Sequence, residues 1–430
     1  PAGFVFGENE DQNVIKCGSY VGTTVEGLKV NIGWEPQWIL FKNTATTNDW
    51  RMFDSMRGIV TGGNDGRFNA NDSSSESTSN NKLDITPTGF TCEESSPDLN
   101  GDGNKIIYVA IRRPDGYVGK PADAGTDVFS LAAGTSNSDI PTFVSGFPVD
   151  FSLYRNPTAT DSWSANSRLL GTKRVHTNTN AAESTNNDIT WDFQNGFYKD
   201  TGDVSDYQAW MWKRHAGLDV VTYKGNSSGN SSGDSQTLSH SLNAVPQMMW
   251  VKRRNTAKNW CVYHYGMNGG VNAINYIMYL DLTNAQEDTS GYSPPHIAWN
   301  NVVPTSTNFT VGGHDLVNGG SDDYIAMLFA SVDGISKCGY FDGQNSTITI
   351  STGFAPRFLI IKRITGADGW LVFDTTRGWG SGNDYRLMLD SSTSQSAPVD
   401  YGAPTSTGFT MTTRDATNAS GEKYIYYAHA

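Results

Sequence analysis

The chain reads as an all-β protein of four tandem β-sandwich-like domains, and three observations predict this. The first is a skeleton that recurs four times. An aromatic or Gly–Pro turn leads into an apolar run that ends on a cation, and a tryptophan follows eight residues later. The copies run from Gly33 through Lys42 to Trp50, from Gly146 through Arg155 to Trp163, from Asn243 through Lys252 to Trp260, and from Gly353 through Lys362 to Trp370. In each, the turn residue lies nine before the cation. The second observation is the character of the runs: Trp38-Ile39-Leu40-Phe41 and Phe358-Leu359-Ile360-Ile361 are short, β-branched or aromatic, and bounded by Gly, Pro and Asn, which reads as strand. The third is punctuation. Gly, Asn, Ser and Thr interrupt the chain every eight to twelve residues or so, the rhythm of an antiparallel sandwich or barrel.

The elements follow in the same order in each copy. A short opening strand ends on an aromatic-x-Gly step at Tyr20 to Gly22, Tyr223 to Gly225 and Phe341 to Gly343, weakened to Ala132-Ala133-Gly134 in the second copy. The Pro-led strand, the cation and the tryptophan come next. A Gly/Asn-Phe step follows at Gly89-Phe90, Gly196-Phe197, Asn308-Phe309 and Gly408-Phe409. An aromatic, apolar strand closes each copy. The first and fourth copies are closest, sharing Trp-x-x-Phe-Asp-Ser/Thr-x-Arg-Gly at Trp50 to Gly58 and Trp370 to Gly378. Each copy spans about 90–115 residues, an ordinary domain and roughly twice a propeller blade. The predicted boundaries are an N-terminal arm over 1–14, repeat domains over 15–113, 127–216, 217–334 and 335–430, and a linker over 114–126. Recurrence marks the four skeleton tryptophans as core, and the short junctions predict domains that pack against one another.

Composition narrows the function classes. The 430 residues carry a net charge of −13, with 17% charged and 12% aromatic residues. The aromatic content speaks for folded cores rather than disorder. The acidic balance speaks against nucleic acid, which needs a basic face. No apolar run is long enough for a membrane-spanning helix, and no secretory leader pattern opens the chain. Pro1 is what remains when an initiator methionine is removed, so the expectation is a native start. The four cysteines show no plausible pairing within a copy, and free, mostly buried thiols are expected.

Candidate chemistry is sparse. Asp98, Asn100 and Asp102, with Gly103, match the first half of a calcium loop, because oxygens at alternate positions converge on one ion. The twelfth position, however, is Val109 rather than a bidentate Glu, and the aligned turns of other copies lack the acids. A hairpin turn is the stronger reading, and no other cofactor is expected. Gly225 to Gly229 matches Gly-x-Ser-x-Gly, but the segment continues as a Ser/Gly loop with no helix to form a nucleophile elbow. Asp54 with Arg57, and Asp374 with Arg377, read as structural salt bridges. The seven histidines form no metal-binding spacing. Aromatics outside the repeat frame are more informative. Tyr292, His296 and Trp299 lie in an insertion of the third copy, which has 49 residues between Trp260 and Phe309 against 34 to 40 elsewhere. Trp379 lies in a Gly-rich loop of the fourth copy. Aromatics on stiff loops serve as platforms for sugars and protein partners. The competing reading packs them against a neighbouring copy or subunit.

The repeat resembles the tandem all-β domains of tail-fibre and other virion proteins of marine and other tailed bacteriophages. The marks are Gly353-Phe354-Ala355-Pro356, the Trp370 to Gly378 step, Gly408-Phe409, and Asn418-Ala419-Ser420-Gly421 before Tyr424-Ile425-Tyr426. The resemblance covers about residues 15–430 and is strongest in the first and fourth copies. It implies a non-enzymatic virion structural protein, made in the host cytoplasm and exposed after lysis. The expected role is a tail-fibre or tail-associated host-recognition component that binds a surface glycan or protein. Other virion proteins are the expected partners, and a homo-oligomer is expected, with a trimer favoured. A purely structural virion part and a polysaccharide-degrading tailspike are the alternatives. The tailspike is disfavoured because no carboxylate pair stands out.

Overall fold

A computed structural model describes residues 14–430 apart from 115–121, 137–138, 187, 201, 215, 229–233, 293–297 and 397. The described strands fall into four antiparallel units with one topology. In the first unit the large sheet runs Ile15–Val21, Lys105–Arg112, Pro36–Asn43, Arg51–Asp54 and Arg67–Asn69, in that spatial order. A small sheet of Leu28–Asn31, Gly89–Cys92 and Leu83–Thr86 covers one face. The fourth unit repeats this as Ser336–Asp342, Lys423–His429, Phe358–Arg363, Leu371–Asp374 and Leu387–Met388, with its small sheet built from Ile348–Ser351, Gly408–Met411 and Pro404–Thr405. The second and third units keep the order and extend their large sheets to six strands. The fold is all-β and sandwich-like throughout.

Two local rules explain the recurring motif. The turn residue before each Pro-led strand has a left-handed backbone: φ is +94° at Gly33, +87° at Gly146, +53° at Asn243 and +89° at Gly353. Only glycine takes this conformation without strain, and asparagine tolerates it. In the Gly-Phe step, a Cβ at Gly89 would stand 2.1 Å from the Val30 carbonyl oxygen, so the small sheet requires that glycine. The phenylalanine beside it fills the sandwich. In the first unit Ile39, Phe41, Phe53, Ile106 and Tyr108 of the large sheet close on Ile85, Phe90 and Cys92 of the small one.

The other face of the large sheets decides how the units assemble. In the second, third and fourth units it is also buried, because the three units form a closed ring. Trp163 Nε1 donates to the Met388 carbonyl (2.7 Å), Trp260 Nε1 to the His176 carbonyl (2.9 Å) and Trp370 Nε1 to the Tyr279 carbonyl (2.9 Å). Each unit thus donates to the same strand position of its neighbour, and the third such contact returns to the start. The cations repeat the cycle. Arg155 reaches the carbonyls of Ser391, Ser392 and Thr393, Lys252 that of Asn180, and Lys362 that of Thr283. Trp210, Trp212, Trp250, Met327, Phe329, Phe358 and Tyr427 fill the centre and are at most 1% exposed. Trp212 lies against Phe358 (centroids 5.6 Å apart) and Phe329 against Tyr427 (4.9 Å). Equivalent head-to-tail contacts that close on themselves are those of a cyclic trimer, here made within one chain.

The first unit stands outside this ring. It is held to it by its loops and small sheet, through Thr61 (Oγ1 to Thr222 Oγ1, 2.7 Å), Lys224 with Glu93 (3.2 Å) and a buried charge cluster. In that cluster Arg214 pairs with Glu35 at 2.8 Å and lies within 4.0 Å of Asp219, while Arg113 adds a 3.1 Å pair to Glu35. Burial opposes the Arg214 charge, but Glu35, Asp150 and Asp219 outweigh it and hold the group firmly protonated.

Candidate functional site

The sequence-predicted site residues do not converge. Trp299 is fully buried; its Nε1 donates to the Tyr276 carbonyl (3.1 Å) and its ring meets Tyr263 edge-on. Trp379 is 2% exposed and packs on Phe373 and Phe409 inside the fourth unit. Neither is a solvent-facing platform: both complete the core of their own unit. Tyr292 is half-buried, and His296 lies outside the described residues. The predicted ligand oxygens of Asp98, Asn100 and Asp102 are divided among other tasks. Asp98 accepts from Arg51 (2.8 Å). Asn100 is fully buried; its Oδ1 accepts the Thr23 N–H and its Nδ2 donates to the Val25 and Glu94 carbonyls. Asp102 points to solvent. Asn318 and Asn418 clamp the same loops in the third and fourth units, so the recurring turn is a structural staple. Among the described residues no group of three His, Cys, Asp or Glu is placed to hold a metal.

The salt bridges stand as expected, at 2.5 Å for Arg57–Asp54 and 2.6 Å for Arg377–Asp374. The cysteines are free, with Cys92, Cys261 and Cys338 buried and Cys17 exposed. Three of the skeleton tryptophans are buried, but they lie between units rather than inside them. Trp50, 37% exposed, is not buried.

Concave surface lies where the first unit meets the ring. A cleft of about 610 Å³ between the first and second units has Arg57, Arg168 and Arg254 on its walls. All three cations are already engaged, Arg168 with the Trp191 and Val149 carbonyls and Arg254 with Glu183 and the Thr61 carbonyl. A second cleft of about 580 Å³ lies between the small sheets of the first and third units. Its lining is apolar at Val30, Phe90 and Leu238 and hydroxyl-bearing at Thr86, Thr237 and Ser239, with the Thr237 hydroxyl bonded to that of Thr310 and the Ser239 hydroxyl donating to Asn308. Asp84 at its edge accepts the Gly62 N–H (2.9 Å). Burial, and then the charge of Glu93, raise its carboxyl to about 7. Glu93 itself is paired with Lys224. Mixed apolar and hydroxyl-bearing lining suits binding of a polyhydroxylated or peptide-like ligand. Sequence reasoning missed this cleft because its walls come from units about 150 residues apart.

The geometry defines a class: a tandem-repeat all-β protein with three of its four units in a ring and the first docked beside it. A family model described as a domain of unknown function, DUF7483, matches residues 4–113 and 134–430, and the chain belongs to that family. No curated protein matches it.

Proposed function

We propose that the chain is a bacteriophage virion protein, a tail-fibre or tail-associated component that recognises the host surface through the cleft between its first and third units. The role is binding rather than catalysis. The observation that carries this reading is that cleft: apolar and hydroxyl-bearing lining between two small sheets, with Asp84 and Glu93 tied into the joint. The ring supports it as a scaffold. Its strands commit both faces to packing, which leaves loops and inter-unit clefts for recognition.

The test is adsorption. Thr86→Arg with Ser239→Arg would fill the cleft from both sides. Phage carrying this pair should assemble normally and lose binding to host cells and to purified surface glycan. Normal adsorption by cleft-filled virions would defeat the recognition reading. A purely structural virion role is favoured by one other observation, the half-exposed apolar sheet face of the first unit. Gold-labelled antibody against the chain, located on the tail tip or on the shell of the particle, separates the two.

A further inference from the structure

The first unit carries the ring-forming face without a ring. Its Trp50 is set as the others are. The Trp50 N–H donates to Asn71 Oδ1 (2.8 Å), as Trp163 does to Asn178, Trp260 to Asp281 and Trp370 to Asp390. The neighbouring strand has the same register: Arg51 faces Asn69 as Ser164 faces His176, Cys261 faces Tyr279 and Leu371 faces Met388. In the ring, the carbonyls of His176, Tyr279 and Met388 accept the tryptophan of the next unit. The corresponding acceptor in the first unit is the Asn69 carbonyl, and among the described residues neither it nor Trp50 Nε1 has an inter-unit partner. The cation tells the same story. Lys252 and Lys362 each reach one carbonyl in their own loop and one in the neighbouring unit. Among the described residues Lys42 makes only the own-loop bonds, to Thr46 and Asn48.

The rest of the face is apolar where a solvated sheet would be polar. Along the central strands the residues facing away from the sandwich are Trp38, Leu40, Ile107, Val109 and Ile111, all half-exposed. Ile15 on the edge strand is 60% exposed. Their counterparts in the ring are the fully buried centre. Cys17 and Cys338 occupy one register position, opposite Val109 and Tyr427; Cys17 is exposed and Cys338 is buried in the seam. An exposed apolar surface of this kind marks an interaction site.

We propose that this face is an assembly surface for further copies of the same chain. Three first units close a second ring, and Trp50 of each protomer donates to the Asn69 carbonyl of the next. The occupant follows from the contact itself. Donor and acceptor lie on one unit, so the face is complementary to another copy of itself. In the ring already formed this contact closes at three, and the same head-to-tail geometry between chains closes at three as well. With the first unit docked through Glu35, Thr61 and Glu93, the face residues Trp38, Leu40, Ile107, Val109 and Ile111 remain half-exposed, so docking and assembly are compatible. The inference is independent of the functional reading above.

The experiment is light scattering coupled to size exclusion on the full chain. The wild type should run at three times its 46.8 kDa chain mass. Trp50→Arg should run at the single-chain mass with the thermal unfolding of the ring unchanged. Val109→Asp with Ile111→Asp is the second variant, in case the first disturbs the unit, and should also give single chains. A monomeric wild type at high micromolar concentration overturns the proposal, and so do folded variants that stay trimeric. Removing residues 1–13 should leave the mass ratio unchanged. A chain that is monomeric when whole and trimeric when trimmed would make that arm the occupant of the face and end the proposal.

Discussion

The first and fourth units share most of the motif, yet their equivalent residues live in opposite surroundings. Trp370 is 1% exposed and Trp50 37%. Lys362 crosses a seam that Lys42 lacks. Both units nevertheless have the same sheet order and the same inner packing. The sandwich interior is therefore sufficient to build a unit, and the seam is an additional layer of stability laid over an already complete fold. The motif sets where a side chain points, and the neighbour decides whether it becomes core.

The largest test of this separation is to delete the same ring in both units. Trp370→Ala opens a cavity and orphans the Tyr279 carbonyl, and should cost about 3–5 kcal/mol. Trp50→Ala, measured on the monomeric form, should cost less than about 1 kcal/mol. Equal losses in urea titrations would mean that the seam is part of what folds a unit. Next in size is the joint between the regions. Arg214→Ala removes the central buried cation and leaves Glu35 and Asp219 to Arg113 and Asp150 to Arg168, and should cost about 3 kcal/mol. Limited proteolysis should then release the first unit while the ring survives.

The two regions should also respond to pH in opposite directions. Burial lowers His264 and His429 to about 3. The His264 ring is fixed by donating from Nε2 to the Tyr426 carbonyl and accepting the Gly266 N–H at Nδ1. These folded values lie below the unfolded one, so their contribution is complete above about pH 6.5 and is lost as pH falls. Between pH 7 and 4.5 the ring should lose about 2–3 kcal/mol per histidine. The chain has no histidine before His176, so the first unit is spared. Asp84 works the other way. Its folded value near 7 exceeds the unfolded one, so the docked first unit is favoured while the carboxyl keeps its proton and weakens as pH rises through 7. The nearby Lys224 charge moderates the shift, and the contribution lost between pH 5 and 7 is about 2–3 kcal/mol. Asp84→Asn should flatten that slope between pH 5 and 8 without touching the acid transition. An unchanged slope in the variant would remove Asp84 from the account.

Much of the fold was legible because the chain compares itself with itself. Four left-handed turns, four tryptophans at one spacing and the paired Asp54–Arg57 and Asp374–Arg377 follow from local sterics and local charge, which repeat wherever the motif repeats. The seams were not legible. A strand buried on both faces, such as Met248–Arg253, shows that both sides are covered but not by what. Recurrence therefore marked Trp163, Trp260 and Trp370 as core without revealing that they reach into a neighbouring unit. The same reasoning failed at Trp50, whose neighbour is missing. Trp299 and Trp379 misled for the converse reason. Falling outside the repeat suggested exposed loops, whereas both side chains finish the interior of their units.

Closure of the ring has a consequence for synthesis. Two seams join units made one after the other, but the third ties Trp163 to Met388, 225 residues further along. As the polypeptide leaves the ribosome, the second unit's half of that seam, with Trp210 and Trp212, waits uncovered until the fourth unit emerges. Nascent chains are thus most prone to stick to one another in the interval before the last quarter is translated, and contacts of such long sequence separation form slowly. Arrest of translation just short of the fourth unit would capture that vulnerable state and hand it to chaperones.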